Sequence, residues 1–153
     1  MGSSCCPPHV PVPEKPACPL TGANGKPVAA ETIVALVQKE VLVRLPSPEG
    51  FYFCPDPACD GVYFNMEGRI LHTFDIRVPV HQKNSDPNVP VCYCFDYTPR
   101  KIFEEITRTG KSTAVAEITR RVQAGECACE IKNPQGTCCL GNVGKVVKEG
   151  MAQ

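Results

Sequence analysis

The chain has no tryptophan, and its aromatic residues make up only 7% of 153 positions, so a large aromatic core is excluded. It also has no excess charge of either sign, with 16 Lys and Arg against 16 Asp and Glu. That balance gives no electrostatic reason to expect nucleic acid or an anionic membrane surface as a partner. No apolar run approaches the roughly 18 residues of a membrane span, so membrane insertion is not expected. The opening Met1-Gly2-Ser3-Ser4-Cys5-Cys6-Pro7-Pro8 has neither a basic nor an apolar signal region, and a cytoplasmic location is expected. Catalytic motifs are lacking too. There is no G-x-S-x-G, and Gly141-Asn142-Val143-Gly144-Lys145 falls short of a phosphate-cradling loop. An enzyme is therefore not the expected reading.

What the chain does have is cysteine, 11 residues of it, and 16 prolines. Hydrophobic residues are 42% of the total, but the cysteines are counted among them. Without them the remaining apolar side chains make a thin core, and small modules with thin cores need a covalent or metal staple. The odd cysteine count and the absence of a secretory signal favour metal ligation over disulfides.

Residues 1–17 carry Pro7, Pro8, Pro11, Pro13 and Pro16, which suit neither helix nor central strand. They read as a flexible leader bearing Cys5, Cys6 and His9. Cys18-Pro19 followed by Gly22 and Asn24-Gly25 reads as a turn of zinc-knuckle shape. Val28 to Val43 has helical periodicity, with a start at Glu31 or Thr32 and an end before Pro46. Phe51-Tyr52-Phe53 and Val62-Tyr63-Phe64 read as two strands of a hairpin whose tip is Cys54-x4-Cys59. Ile70 to Val80 alternates as a third strand with Ile70, His72, Phe74, Ile76 and Val78 on one face. His72 there is expected to be packed and satisfied rather than a ligand. The polar, proline-containing stretch 81–90 reads as a linker.

In the second half, Thr98-Pro99 starts a helix and Gly110 stops it, with Ile102, Phe103 and Ile106 as the buried stripe. Ser112 starts a second helix with Val115, Ile118 and Val122 inward, ended at Gly125. An antiparallel helical hairpin brings its two ends together, so Cys92-x-Cys94 before it and Cys127-x-Cys129 after it are expected to converge. Leu140 to Lys148 is only weakly helical.

Six cysteines within residues 92–139 are more than one zinc ion needs, and C-x-C is an unusual spacing for structural zinc. A [2Fe-2S] cluster needs four thiolates. Cys92, Cys94 and Cys127 are expected as three of them. The fourth is expected to be Cys138, with Cys129 and Cys139 as alternatives. Cys18, Cys54 and Cys59 are expected to bind zinc, with a fourth ligand from Cys5, Cys6, His9 or Asp60.

Val91-Cys92-Tyr93-Cys94-Phe95, the two helices, and Gly125-Glu126-Cys127 resemble the [2Fe-2S]-binding domain of bacterioferritin-associated ferredoxins and nitrogen-fixation scaffold proteins. Phe51-Tyr52-Phe53-Cys54-x4-Cys59 together with Cys127-x-Cys129-Glu130-Ile131-Lys132-Asn133-Pro134-Gln135-Gly136-x-Cys138-Cys139 resembles the N-terminal domain of the CopZ-type copper chaperone family. That resemblance spans about residues 18–143. It implies a zinc module joined to a [2Fe-2S] module, with roles in copper delivery or copper(II) reduction. The family also carries a copper-binding M-x-C-x-x-C domain that these 153 residues do not contain. A grip on copper(I) is then expected from Cys5 and Cys6 or from a separate protein. The expected fold class is α+β. It comprises a leader at 1–17, a small zinc-bound β-hairpin and helix module at 18–80, a linker at 81–90, a helical [2Fe-2S]-binding module at 91–143, and a tail at 144–153. The expected function is metallochaperone or redox accessory in copper or heavy-metal handling, with a metal-transporting or redox protein as partner. The alternatives are general electron transfer or a metal-responsive interaction protein.

Overall fold

A computed structural model describes residues 16–152. Residues 1–15 of the expected leader, with Cys5, Cys6 and His9, therefore lie outside the described residues. The fold is α+β, as expected from the sequence. A four-stranded antiparallel sheet runs in the order β1 (Lys26–Pro27), β2 (Phe51–Phe53), β3 (Gly61–Asn65), β4 (Ile70–His72). The register pairs Lys26 with Phe53, Phe51 with Asn65, and Phe64 with Ile70. Pro27 is tolerated because β1 is an edge strand. The two aromatic runs form the expected hairpin. β3 is buried on both sides, which a short apolar run in the middle of a sheet requires. Tyr63 packs with Phe51, Phe53 and Leu71 into a core under α1 (Ala30–Leu36), whose Ile33 and Leu36 complete it. Phe64 faces the other way, stacked on Tyr52 at 5.7 Å beside Cys18, Cys54 and Cys59.

The single helix expected over 28–43 is two, α1 and α2 (Lys39–Leu42). The break has a hydrogen-bonding cause. Arg77 N–H donates to Leu36 O, Gln38 N–H donates to Asp75 O, and the Arg77 side chain donates to Val37 O. These bonds hold Val37 extended, where it is fully buried. The helix starts from Ala29 rather than Glu31 or Thr32. The third strand is also shorter than its alternation implied. It ends at His72, because the Asp75 carboxylate accepts from His72 N–H and folds Thr73–Asp75 into a 3-10 turn. Leu71 is therefore the buried side chain, and Phe74 is 73% exposed.

The second half has its own core, built on α3 (Pro99–Thr109), α4 (Ala114–Gln123) and α6 (Leu140–Met151). α3 begins and ends where its caps predict. The Thr98 hydroxyl accepts from Lys101 N–H, and Gly110 takes the left-handed conformation at φ 85°. Ile102 is buried, with Phe103 and Ile106 packed beside it. In α4 the inward residues are Ala114 and Ile118, while Val115 is partly exposed, one position off the expected face. The largest departure is the segment read as a weak helix and tail. It is α6, which packs against both α3 and α4 and buries Val143 and Val146. Gly150 brings α6 close to α3: a Cβ there would lie 2.6 Å from Ile106 Cδ1. Cys139, Val143, Val146 and Gly150 recur at steps of four, three and four, a helical stripe that the intervening Gly141, Gly144, Lys145 and Lys148 obscure.

The stretch 81–90 holds a 3-10 turn at His81–Lys83 and a buried Val89. A short helix, α5 (Cys129–Lys132), packs on α1 and joins the halves. Among the described residues, no helix is long and apolar enough to cross a membrane.

Candidate metal centres

Cys18 sits at the start of a tight turn. Its N–H donates to Ala23 O, and Gly22, at φ 77°, returns its own N–H to Cys18 O. This turn presents the Cys18 sulfur to the tip of the β2–β3 hairpin, where Cys54 and Cys59 stand. All three thiols are buried, and their sulfurs lie within 4.8 Å of one another. Cys18 Sγ and Cys59 Sγ are 3.8 Å apart. A zinc ion bound tetrahedrally at about 2.3 Å per sulfur separates its ligands by roughly 3.8 Å, so the spacing fits that ion.

The surrounding groups prepare these thiols for a cation. Burial pushes the Cys18 pKa up, but the backbone N–H groups of Leu20 and Thr21 aimed at its sulfur outweigh this and hold it below the ordinary thiol value. At Cys59 burial wins and the pKa is raised, although Gly61 N–H donates to its sulfur at 3.3 Å. A thiol that is costly to ionise when buried is ionised by a bound cation. Of the fourth ligands expected, Asp60 is not part of this group. Its carboxylate instead accepts from Thr73 Oγ1 at 2.7 Å and pairs with His72 Nδ1 at 3.0 Å. His72, stacked on Phe74, is satisfied there, as its sequence position suggested.

The second group lies between α3, α4 and α6. Cys92 and Tyr97 exchange backbone hydrogen bonds, closing the loop that carries Cys94, with Asp96 at φ 56°. Cys94 Sγ is 3.6 Å from Cys129 Sγ and accepts from Ala128 N–H at 3.1 Å. The buried Cys139 lies close enough to Cys129 and Cys92 to lower the pKa of both. Cys92, Cys94, Cys129 and Cys139 are therefore the four thiols this structure brings together. Cys127 and Cys138, expected among the ligands, are exposed to solvent. The difference in exposure has a geometric cause. Cys129 opens α5 and Cys139 caps α6, and both helices turn these positions inward. One residue away from Cys139, and two from Cys129, the side chains project out. Backbone N–H donors also reach this group. They come from Ala128, Phe95 and Cys94 rather than from the first turn of α3.

Proton sharing within the group is uneven. The hydrogen bond from Cys139 lowers Cys92 to about 7 and Cys129 to about 6, while Cys139 itself is held far above the ordinary thiol value by these same bonds. Burial raises Cys94 to about 11. Ionisation is thus favoured at Cys92 and Cys129 and opposed at Cys94 and Cys139, and a bound cation displaces the remaining thiol protons.

A family model described as a zinc binding domain, of the CopZ type, matches residues 15–77. The copper chaperone CopZ of Archaeoglobus fulgidus is 32% identical over 122 residues, which are 80% of this chain and 57% of that protein. The chain thus spans a little over half the length of that relative. The X-ray structure of the Archaeoglobus fulgidus CopZ N-terminal domain superposes with a TM-score of 0.71 at 31% identity, covering 86% of this chain and 97% of that one. Placed beside the three-thiol group within the matched segment, these likenesses show that the chain belongs to the family of the CopZ N-terminal domain, with a zinc-binding domain in its N-terminal region.

Proposed function

We propose that the protein is a zinc and iron–sulfur metalloprotein that serves copper or heavy-metal handling as a metallochaperone or redox accessory. Zinc is held by Cys18, Cys54 and Cys59. A [2Fe-2S] cluster, of the kind bound by the bacterioferritin-associated-ferredoxin domain, is held by Cys92, Cys94, Cys129 and Cys139.

The observation that carries the cluster reading is the arrangement of the second group. Its sulfurs run in a chain of neighbours, Cys94 to Cys129 to Cys139 to Cys92. The pairs Cys94–Cys129 and Cys92–Cys139 offer two thiolates to each of two irons. Among the described residues, by contrast, only Cys18, Cys54 and Cys59 gather tightly enough for a single ion. The two groups therefore suit different metals. A [2Fe-2S] group exchanges one electron, the change that separates copper(II) from copper(I). This chain's residues bury the centre under Ile102, Ile118 and Val143 and leave Cys127 and Cys138 as soft surface ligands for a copper(I) cargo. The partner in this reading is a metal-transporting protein.

Metal and acid-labile sulfide analysis of anaerobically purified protein tests the assignment. The expected result is about one zinc, two irons and two sulfides per chain. A colourless protein with zinc in both groups would overturn the cluster. Absence of copper(I) binding by the cluster-loaded chain would overturn the carrier role and leave electron transfer alone.

A further inference from the structure

The loop between Cys129 and Cys139 is tied to residues of the other half. Tyr63 on β3 donates its hydroxyl hydrogen bond to Pro134 O, and both residues are buried. Burial pushes the Tyr63 phenol well above its ordinary pKa, so it stays a donor. Thr32 on α1 donates to Glu130 O at 2.5 Å. Gly136, at φ 75°, lies so close to α1 that a Cβ there would sit 3.2 Å from Val28 Cγ1.

The same strand reaches the zinc group. Gly61 N–H donates to Cys59 Sγ, and Cys54 N–H donates to Val62 O at 2.9 Å. Three successive residues of β3, Gly61 to Tyr63, therefore touch both sites. A second tie runs through residues 79–83. Lys83 Nζ donates to Asp56 O at 2.6 Å, inside the Cys54–Cys59 loop. Gln82 donates to Gln135 Oε1 at 2.7 Å, inside the Cys129–Cys139 loop, and Gln135 in turn donates to Cys138 O at 2.8 Å. Tyr93, between Cys92 and Cys94, donates its hydroxyl to Pro79 O at 2.6 Å and accepts from His81 N–H at 3.0 Å.

We propose that Tyr63 is a positioning residue for the second metal centre and that β3 couples the two sites, so that occupancy of the Cys18–Cys54–Cys59 group sets how firmly Cys129 and Cys139 hold their metal. This rests on the [2Fe-2S] reading given above. The physical reasoning is direct. A cation at the first group fixes the sulfurs of Cys54 and Cys59, hence the start of β3, hence the phenol that anchors Pro134. Without it nothing ties the three sulfurs together, the hairpin tip loosens, and the anchor of the Cys129–Cys139 loop loosens with it. Packed cores pass such a shift on because they are not continuously deformable. Coupling of this kind is reciprocal: a bound cluster raises zinc affinity by the factor by which zinc raises cluster affinity.

The test uses the intact chain, anaerobically loaded with zinc and cluster, with free zinc set by a buffered chelator. Iron retained against a competing iron chelator, visible circular dichroism and the reduction potential are read at each zinc level. The expected result is a loss of iron affinity of roughly 5-fold or more on zinc withdrawal. In Tyr63→Phe, with both metals still bound at high zinc, that dependence should shrink several-fold and the potential should move. Thr32→Val, which removes the hydroxyl on Glu130 O, gives the same reading should Tyr63→Phe fail to fold. Iron retention indifferent to zinc overturns the coupling, and so does undiminished zinc dependence in both variants. A protein that holds no iron at any zinc level overturns the cluster reading itself, and this coupling with it. That outcome is distinct from iron held without regard to zinc.

Discussion

Free zinc should control the thermal stability of the N-terminal region by a calculable amount. The small core around the first metal group consists of Cys18, Cys54, Cys59 and Phe64, so three of its four buried side chains are thiols. Little apolar packing remains to hold residues 16–25 against the hairpin if the thiols lose their cation. Binding to the folded chain alone stabilises it by about 2.7 kcal/mol at 100-fold and about 4.1 kcal/mol at 1,000-fold excess over the dissociation constant. Each tenfold rise in free zinc thus adds about 1.4 kcal/mol. For a chain near 150 residues, about 1 kcal/mol moves the melting midpoint by roughly 2–4 °C. A tenfold step should therefore move it by about 3–6 °C, and Cys54→Ser should flatten the series. Far-UV circular dichroism melts in a zinc buffer measure this. A midpoint that stays put over two decades of saturating free zinc would refute the staple, and an equal response in Cys54→Ser would place the zinc elsewhere.

Other expectations follow from the same coordinates. Cys129→Ser and Cys139→Ser should each abolish the visible absorption of an iron–sulfur centre in anaerobically prepared protein, whereas Cys127→Ser and Cys138→Ser should retain it; the opposite pattern would restore the ligand set expected from spacing. Gly25→Ala would place its Cβ 2.4 Å from the Phe64 ring and 2.9 Å from Tyr52 Cβ. The overpacking should cost about 1–3 kcal/mol in urea unfolding, and a change within error would mean that the Tyr52–Phe64 stack shifts freely. Burial lowers the His81 pKa below 6.5, although Glu149 opposes this. The unfolded chain then binds the proton more readily, so stability should fall as pH drops from about 6.5 through the lower folded value. His81→Gln should flatten that part of the profile, and an unchanged slope would exclude His81 as its source.

Much of the fold was legible locally. Thr98-Pro99 and Gly110 delimit α3 because a cap hydroxyl, a fixed proline φ and a glycine at φ 85° act within a few residues of chain. The Phe51 and Val62 runs announce a hairpin because strand alternation is also local. Long-range hydrogen bonds overrode the pattern elsewhere. Residues 28–43 read as one helix until Asp75 and Arg77 bond to residues 36–38 and pull Val37 straight. The third strand stops at His72 because Asp75 caps a turn. α6 was obscured by Gly141, Gly144 and Gly150, which weaken its intrinsic propensity; tertiary packing on α3 and α4 supplies what propensity lacks.

The cysteine sites divide along the same line. The sequence alone determined that the chain is a cysteine-rich α+β protein, that Cys18, Cys54 and Cys59 belong to one region, and that Cys92 and Cys94 meet the cysteines beyond the helices. Composition and short-range spacing carry those conclusions. Only the tertiary structure distinguishes buried Cys129 and Cys139 from exposed Cys127 and Cys138. In a C-x-C or C-C doublet every member is within reach of the same site, and what differs is direction. Direction is set by α5 and α6, whose inward faces are defined by packing against α1, α3 and α4. The tie from Tyr63 to Pro134 joins residues 71 positions apart, so it too exists only in the folded chain.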